Sequence, residues 1–177
     1  MAEQPQEELV EHEVVGRRIR DNHEHHGITD GDGGFRVLAG AFMEDRPDAH
    51  ISVDRFWNNT KAPSKAGKAA HTHLIAEICI SESWDGMKGW ACTSVKRFKT
   101  VHGIHSVIAT PKPNQNPHHA DLVKQDFLVI KTDDSRGIRR SKSIMLAQQL
   151  ADSFNTFLKE NQAEFIPWPS MPQAAHA

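Results

Sequence analysis

The chain has 177 residues, 38% hydrophobic and 25% charged, with a formal net charge of −2 when its 12 histidines are neutral. That length suits a single domain able to bury a core without staples, and the charge balance excludes a general electrostatic attraction to nucleic acid or anionic membrane. No window approaches the roughly 18 apolar residues of a membrane span, and the first residues are acidic with no apolar stretch, so the expectation is a cytoplasmic protein.

The expected fold class is α+β: a small, mostly antiparallel sheet with one internal helix and a long C-terminal helix. Residues 1–12 are acidic and polar and read as a disordered tail, residues 13–165 as one domain, and residues 166–177, with three prolines, as a second tail. Val14 to Arg20 is a β-branched run with interleaved arginines and predicts a first strand. Arg18 and Arg20 would share one face of it and Arg17 the other. Residues 21–34, with histidines, aspartates and four glycines, predict a loop. Phe35 to Phe42 alternates weakly and predicts a strand or irregular segment, followed by a turn with Pro47.

Ile51 to Trp57 alternates cleanly, with Ile51, Val53 and Arg55 on one face and Ser52, Asp54 and Phe56 on the other. Lys68 to Ser83 predicts the internal helix, from Leu74, Ile75, Ile78 and Cys79 at helical spacing. Trp90–Val95, Ile104–Ala109 and Phe127–Ile130 predict further strands. Asp133, Asp134 and Ser135 form an N-cap group before a helix expected from about Ser141 to Asn161, whose stripe is Ala147, Leu150, Ala151, Phe154, Phe157 and Leu158. Arg136, Arg139, Arg140 and Lys142 lie at its start, the unfavourable end for cations. They read as a solvated charge run or, alternatively, as an anion-docking site. Cys79 and Cys92 lack a Cys-x-x-Cys spacing and sit in otherwise apolar runs, which favours buried thiols over a disulfide.

Four constellations carry candidate chemistry. Asn116-Pro117-His118-His119-Ala120-Asp121 predicts a stiff loop presenting imidazoles for proton transfer near neutral pH, with Asp121 orienting one of them. In Ser52-Val53-Asp54-Arg55, adjacent opposite charges on a buried-looking strand imply either an internal ion pair or a guanidinium fork presented to a phosphate or carboxylate. Arg17, Arg18 and Arg20 form an anion-binding edge or protect a sheet edge. His23, His25, His26, His71, His73, His102 and His105 lack a zinc-ligand spacing such as HExxH, so no cofactor is expected, with a zinc site assembled from separate segments as the alternative.

In order, Arg17-Arg18, Ala41-Phe42, Ser52-Val53-Asp54-Arg55 and Asn116-Pro117-x-His119-Ala120-Asp121 resemble a group of small bacterial proteins with an SVDR-like strand and a later NPxHA-acidic motif, over residues 13 to 123. The resemblance implies an arrangement, in which Arg55 and His119 belong together, and carries no activity with it. Three functions remain open. The first is an enzyme binding a nucleotide or phosphodiester, with Arg55, Arg17, Arg18 and Asn116 holding the substrate and His119, His118, Asp121 and Asp54 in acid–base roles. The second is a non-catalytic accessory or antitoxin-like module that binds a protein partner. The third is a metal-dependent hydrolase built on the histidines.

Overall fold

The computed structural model describes residues 6–28, 34–44, 50–56, 86–112 and 118–168. The expected helix at Lys68–Ser83, together with Cys79, His71, His73, Trp57, Pro47 and Asn116, lies outside them. Among the described residues eight strands are present: β1 (Val14–Arg20), β2 (His26–Ile28), β3 (Phe35–Val37), β4 (Ile51–Arg55), β5 (Met87–Ser94), β6 (Ile104–Ala109), β7 (His119–Lys124) and β8 (Ala163–Pro167). The α-helices are α1 (Val95–Thr100) and α2 (Arg136–Lys159), and single 3-10 turns cover Ala39–Phe42 and Asp126–Leu128. Six strands form one antiparallel sheet in the order β6-β7-β4-β1-β5-β8, and β2 and β3 form a separate hairpin. The fold is therefore α+β with a mostly antiparallel sheet and a long helix near the C-terminus, as its sequence predicts.

Each sheet face buries a different set. On the first face Val15, Ile19, Ile51, Val53, Val107 and Leu122 pack against Leu146, Ala147, Leu150, Ala151 and Phe154 of α2 and Val95 and Phe98 of α1. On the second face Phe56, Trp90 and Cys92 cluster, with Val14, Ile166 and Trp168 packed against them. Burial of a large apolar side chain contributes about 1.5–3 kcal/mol, and α2 supplies four, Leu146, Leu150, Phe154 and Phe157, beside the smaller Ala147 and Ala151. Gly16 is where the second face closes most tightly. A Cβ there would stand 2.5 Å from Cys92 Sγ and 2.6 Å from Phe56 Cε2, so only glycine fits.

The departures from expectation have local causes. Residues 7–9 are not a free tail: Leu9 N–H donates to the Val107 carbonyl and Ala109 N–H to that of Glu7, which runs this segment along the outer edge of β6. Leu9 is buried, which secures it. The tail assigned from residue 166 begins inside β8, and Trp168 stacks on Trp90 at a 4.3 Å centroid distance. The predicted strand at Phe127–Ile130 is a 3-10 turn with Leu128 buried and Phe127 exposed. Helix α2 starts at Arg136 rather than Ser141, because Ser135 is its N-cap and accepts from Ile138 N–H at 3.2 Å. Two cations of its first turns are absorbed locally. Arg139 donates to the carbonyls of Lys131, Thr132 and Asp134, and Lys142 to the Val129 carbonyl and the Asp134 carboxylate. Among the described residues, no helix is long and apolar enough to cross a membrane.

Candidate functional site

Strand alternation sorts the charged candidates onto two faces. The β1–β4 register pairs Val15 with Arg55 and Gly16 with Asp54, and the β4–β7 register pairs Asp54 with His119 and Ser52 with Asp121. Two rows thus cross the second face: Cys92, Gly16, Asp54 and His119 in one, and Trp90, Arg18, Ser52 and Asp121 in the next. Arg18, Asp54, His119 and Asp121 are brought together there. Arg55 and Arg17 are on the first face.

Arg55 therefore does not meet His119, contrary to the expected pairing. Arg55 is 9% exposed, and its guanidinium donates to Glu13 at 2.7 Å, with Glu7 at 3.4 Å on the rim. Glu13 is itself 1% exposed. This is an internal ion pair beneath the end of the sheet, the structural alternative for an arginine on a core strand. Arg17 is likewise occupied. Its Nε donates to the Ala41 carbonyl at 2.7 Å, Nη1 to Glu44 and to the Ser52 carbonyl, and Nη2 to the Met43 carbonyl. It fastens the 3-10 turn to the sheet. Neither residue offers its fork to a substrate on the His119 side, which corrects both as substrate-binding candidates. His118 precedes His119 and contributes its carbonyl to Arg55 N–H, so alternation turns it toward the opposite face. Asn116 lies outside the described residues.

On the second face, Arg18 grips Asp54 with two bonds, Nε to Oδ2 at 2.6 Å and Nη2 to Oδ1 at 3.0 Å. The fully buried Trp90 indole adds an N–H bond to Oδ2 at 2.8 Å. Bidentate, charge-assisted geometry of this kind is rigid and specific, and it holds Asp54, 2% exposed, beside His119. His119 follows the same logic. Its Nδ1 lies 2.7 Å from Thr110 Oγ1 and 3.1 Å from the Thr110 carbonyl. A carbonyl can only accept, so the proton is assigned to Nδ1. That leaves Nε2 as a bare lone pair. It is buried without a hydrogen-bond partner, 3.9 Å from Asp121 Oδ1.

Burial holds the His119 ring below its ordinary pKa, with Asp121 opposing and nearby Lys112 assisting that shift. His119 is thus a neutral base at pH 7, anchored through one nitrogen and unsatisfied at the other. Two acceptors 3.9 Å apart can share one donor atom at about 2.8 Å from each, with an angle near 90° between the two bonds. The arrangement suits an amine that gives one hydrogen toward Nε2 and another to Asp121, or two neighbouring hydroxyls that give one hydrogen to each.

The sequence reading missed Trp90, Thr110 and Glu13 as partners. Trp90 carried a signal, being two residues from Cys92 in a strand facing β1; Thr110 carried none while residues 116–121 read as a loop. The other histidines are dispersed. His26 stacks on Phe35 and lies 3.1 Å from Asp21, His25 Nδ1 accepts from Arg20 N–H, and His102 leans on Phe127. Among the described residues, no three His, Cys, Asp or Glu side chains are grouped to hold a metal ion. Cys92 is a free, buried thiol. No family model, no curated protein and no solved structure matches the chain.

Proposed function

We propose that the chain is an enzyme that uses His119 as a general base toward a hydroxyl or amine of a small polar substrate. The observation that supports it is the orphaned Nε2: a buried acceptor without a partner costs about 1–3 kcal/mol, and this one faces a carboxylate where an amine, or two neighbouring hydroxyls, would supply a hydrogen to each. Asp121 orients the incoming donor and stabilises the imidazolium formed when the proton arrives. Asp54, clamped by Arg18 and Trp90, adds a fixed negative charge behind the ring. Base catalysis by a positioned imidazole contributes typically 10²–10⁴-fold.

The phosphodiester form of this idea required Arg55 to hold the anion. The proposal keeps the imidazole and gives up the guanidinium, because Arg18 is already neutralised by Asp54 and Arg55 by Glu13. It therefore favours a polyol or amino alcohol over a phosphate.

Nitrogen-detected NMR of the histidine rings tests it. The expected spectrum has His119 neutral at pH 7 with the proton on Nδ1. A screen of polyol and amino-alcohol fragments should shift its Nε2 signal, and Asp121→Asn should abolish that shift. A ring protonated on Nε2, indifferent to every such fragment, would refute the reading.

A further inference from the structure

Ser52 stands directly across from Asp121, in the same β4–β7 register that sets Asp54 across from His119. Arg55 N–H donates to the His118 carbonyl, so Arg55 and His118 form a hydrogen-bonded pair of this ladder. Alternation then makes Asp54–His119 and Ser52–Asp121 the non-hydrogen-bonded pairs, whose side chains approach most closely, with Cβ atoms about 4.5–5.5 Å apart. Four polar side chains are therefore the corners of one small patch on the second face.

Three corners already have duties. Asp54 is clamped by Arg18 and Trp90, His119 is anchored through Nδ1, and Asp121 faces Nε2 at 3.9 Å. Ser52 differs. Both of its backbone groups are engaged: N–H donates to Glu44 Oε1 at 2.8 Å, and the carbonyl accepts from Arg17 Nη1 at 2.8 Å. Those bonds pin the residue in place. Its hydroxyl has no hydrogen-bond partner among the described residues, and the residue is half-buried. A fixed backbone thus presents an uncommitted hydroxyl beside the two acceptors.

We infer that Ser52 determines the specificity of the His119 site, and that the ligand is a small primary amine with a hydroxyl on the neighbouring carbon. The hydrogen-bond inventory of the corners leads there. The bare Nε2 and an ionised carboxylate only accept, whereas a serine hydroxyl donates and accepts. An amine nitrogen carries at least two hydrogens, one for Nε2 and one for Asp121. The hydroxyl on the next carbon then meets Ser52. A polyol needs three hydroxyls to make the same three bonds, and it brings no charge to Asp121. An ammonium does, and a charge-assisted bond is roughly twice as strong as a neutral one. The inference rests on the proposed role of His119 and names the substrate class within it.

The test titrates the full-length protein with 2-aminoethanol and with propylamine, which differ only in a hydroxyl against a methyl, and reads the His119 ring nitrogens by NMR. The expected result is a shift of the Nε2 signal by both, with 2-aminoethanol bound about threefold to tenfold more tightly, the worth of one hydrogen bond. Ser52→Ala should bring 2-aminoethanol down to the affinity of propylamine and leave propylamine unchanged. Its thermal midpoint should hold, because the backbone bonds to Glu44 and Arg17 remain. Equal affinities of the two amines for the parent protein, or an unchanged ratio in the variant, would overturn the role of Ser52 and leave that of His119 standing. Glycerol moving the Nε2 signal where neither amine does would overturn the amine and likewise spare His119. No movement with any of the three would end both readings.

Discussion

Replacing Arg55 by alanine separates a structural ion pair from a substrate-holding fork. The guanidinium touches Glu13 at 2.7 Å and Glu7 at 3.4 Å. Glu7 is half exposed, so its share is under about 1 kcal/mol. Glu13 is almost fully enclosed, and its other carboxylate oxygen accepts Val10 N–H at 3.1 Å. Removing the cation nearest a buried carboxylate costs about 3–5 kcal/mol. For a domain of this size, about 2–4 °C are lost per kcal/mol, so the thermal midpoint should fall by roughly 6–20 °C. Chemical denaturation read by tryptophan fluorescence gives the free energy directly. Glu13→Gln combined with Arg55→Met removes both charges and should recover most of the loss, giving a coupling energy of about 1 kcal/mol or more in a double-mutant cycle. An Arg55→Ala protein that loses less than about 1 kcal/mol, yet no longer transmits ligand binding to the His119 ring, would refute the structural assignment and restore Arg55 to the site.

Acid should destabilise the fold through two histidines. Burial, with Arg17 and Arg20 nearby, brings His25 down to about 4, and burial lowers His119 as well. Both rings bind fewer protons folded than unfolded once the unfolded histidines begin to charge. Stability is therefore complete above about pH 6.5 and falls as pH drops toward 4. His25→Asn, which keeps an acceptor for Arg20 N–H, should flatten part of that slope in denaturation curves taken at successive pH values; an unchanged slope would place the proton uptake elsewhere. Gly16→Ala should cost about 1–3 kcal/mol by overpacking, because the new methyl meets Cys92 and Phe56, both buried. A neutral effect in thermal melts would mean that the second face is looser than these distances show.

Alternation made the faces of β1 and β4 readable from the sequence: Arg17 opposite Arg18, and Arg55 opposite Asp54, are consequences of a two-residue period. The α2 stripe was readable for the same reason at a period of 3.6. What was hidden is which strands neighbour one another. His119 joins Asp54 only because β7 pairs with β4, and β7 was read as a loop because Pro111, Pro113 and Pro117 precede it and His118, His119 and Asp121 are poor strand formers. Its strand character comes from Ala120 and Leu122, both buried against the sheet core. The apolar run at Phe127 misled in the opposite sense: Leu128 alone goes inward, and a single buried residue does not make a strand. The pairing of Arg55 with His119, suggested by resemblance, required them to share a face. A register of Asp54 to His119 forbids it.

The tandem Asp54-Arg55 gives each sheet face one half of a different ion pair. Asp54 meets Arg18 on the second face and Arg55 meets Glu13 on the first. Their order is therefore as important as their presence. Exchanging them, by Asp54→Arg with Arg55→Asp, conserves composition, net charge and strand pattern but sets arginine against Arg18 and aspartate against Glu13. Two buried pairs become two buried repulsions, and the Trp90 indole N–H loses its acceptor. The loss should exceed that of Arg55→Ala and approach the whole stability of an ordinary domain, about 5–15 kcal/mol. Adding Arg18→Glu to the exchanged protein restores opposite charges on the second face alone, and should recover part of the fold in circular dichroism and denaturation. If the exchanged protein were as stable as the parent, neither pair would be holding the sheet, and the fixed charge behind His119 would lose its physical basis.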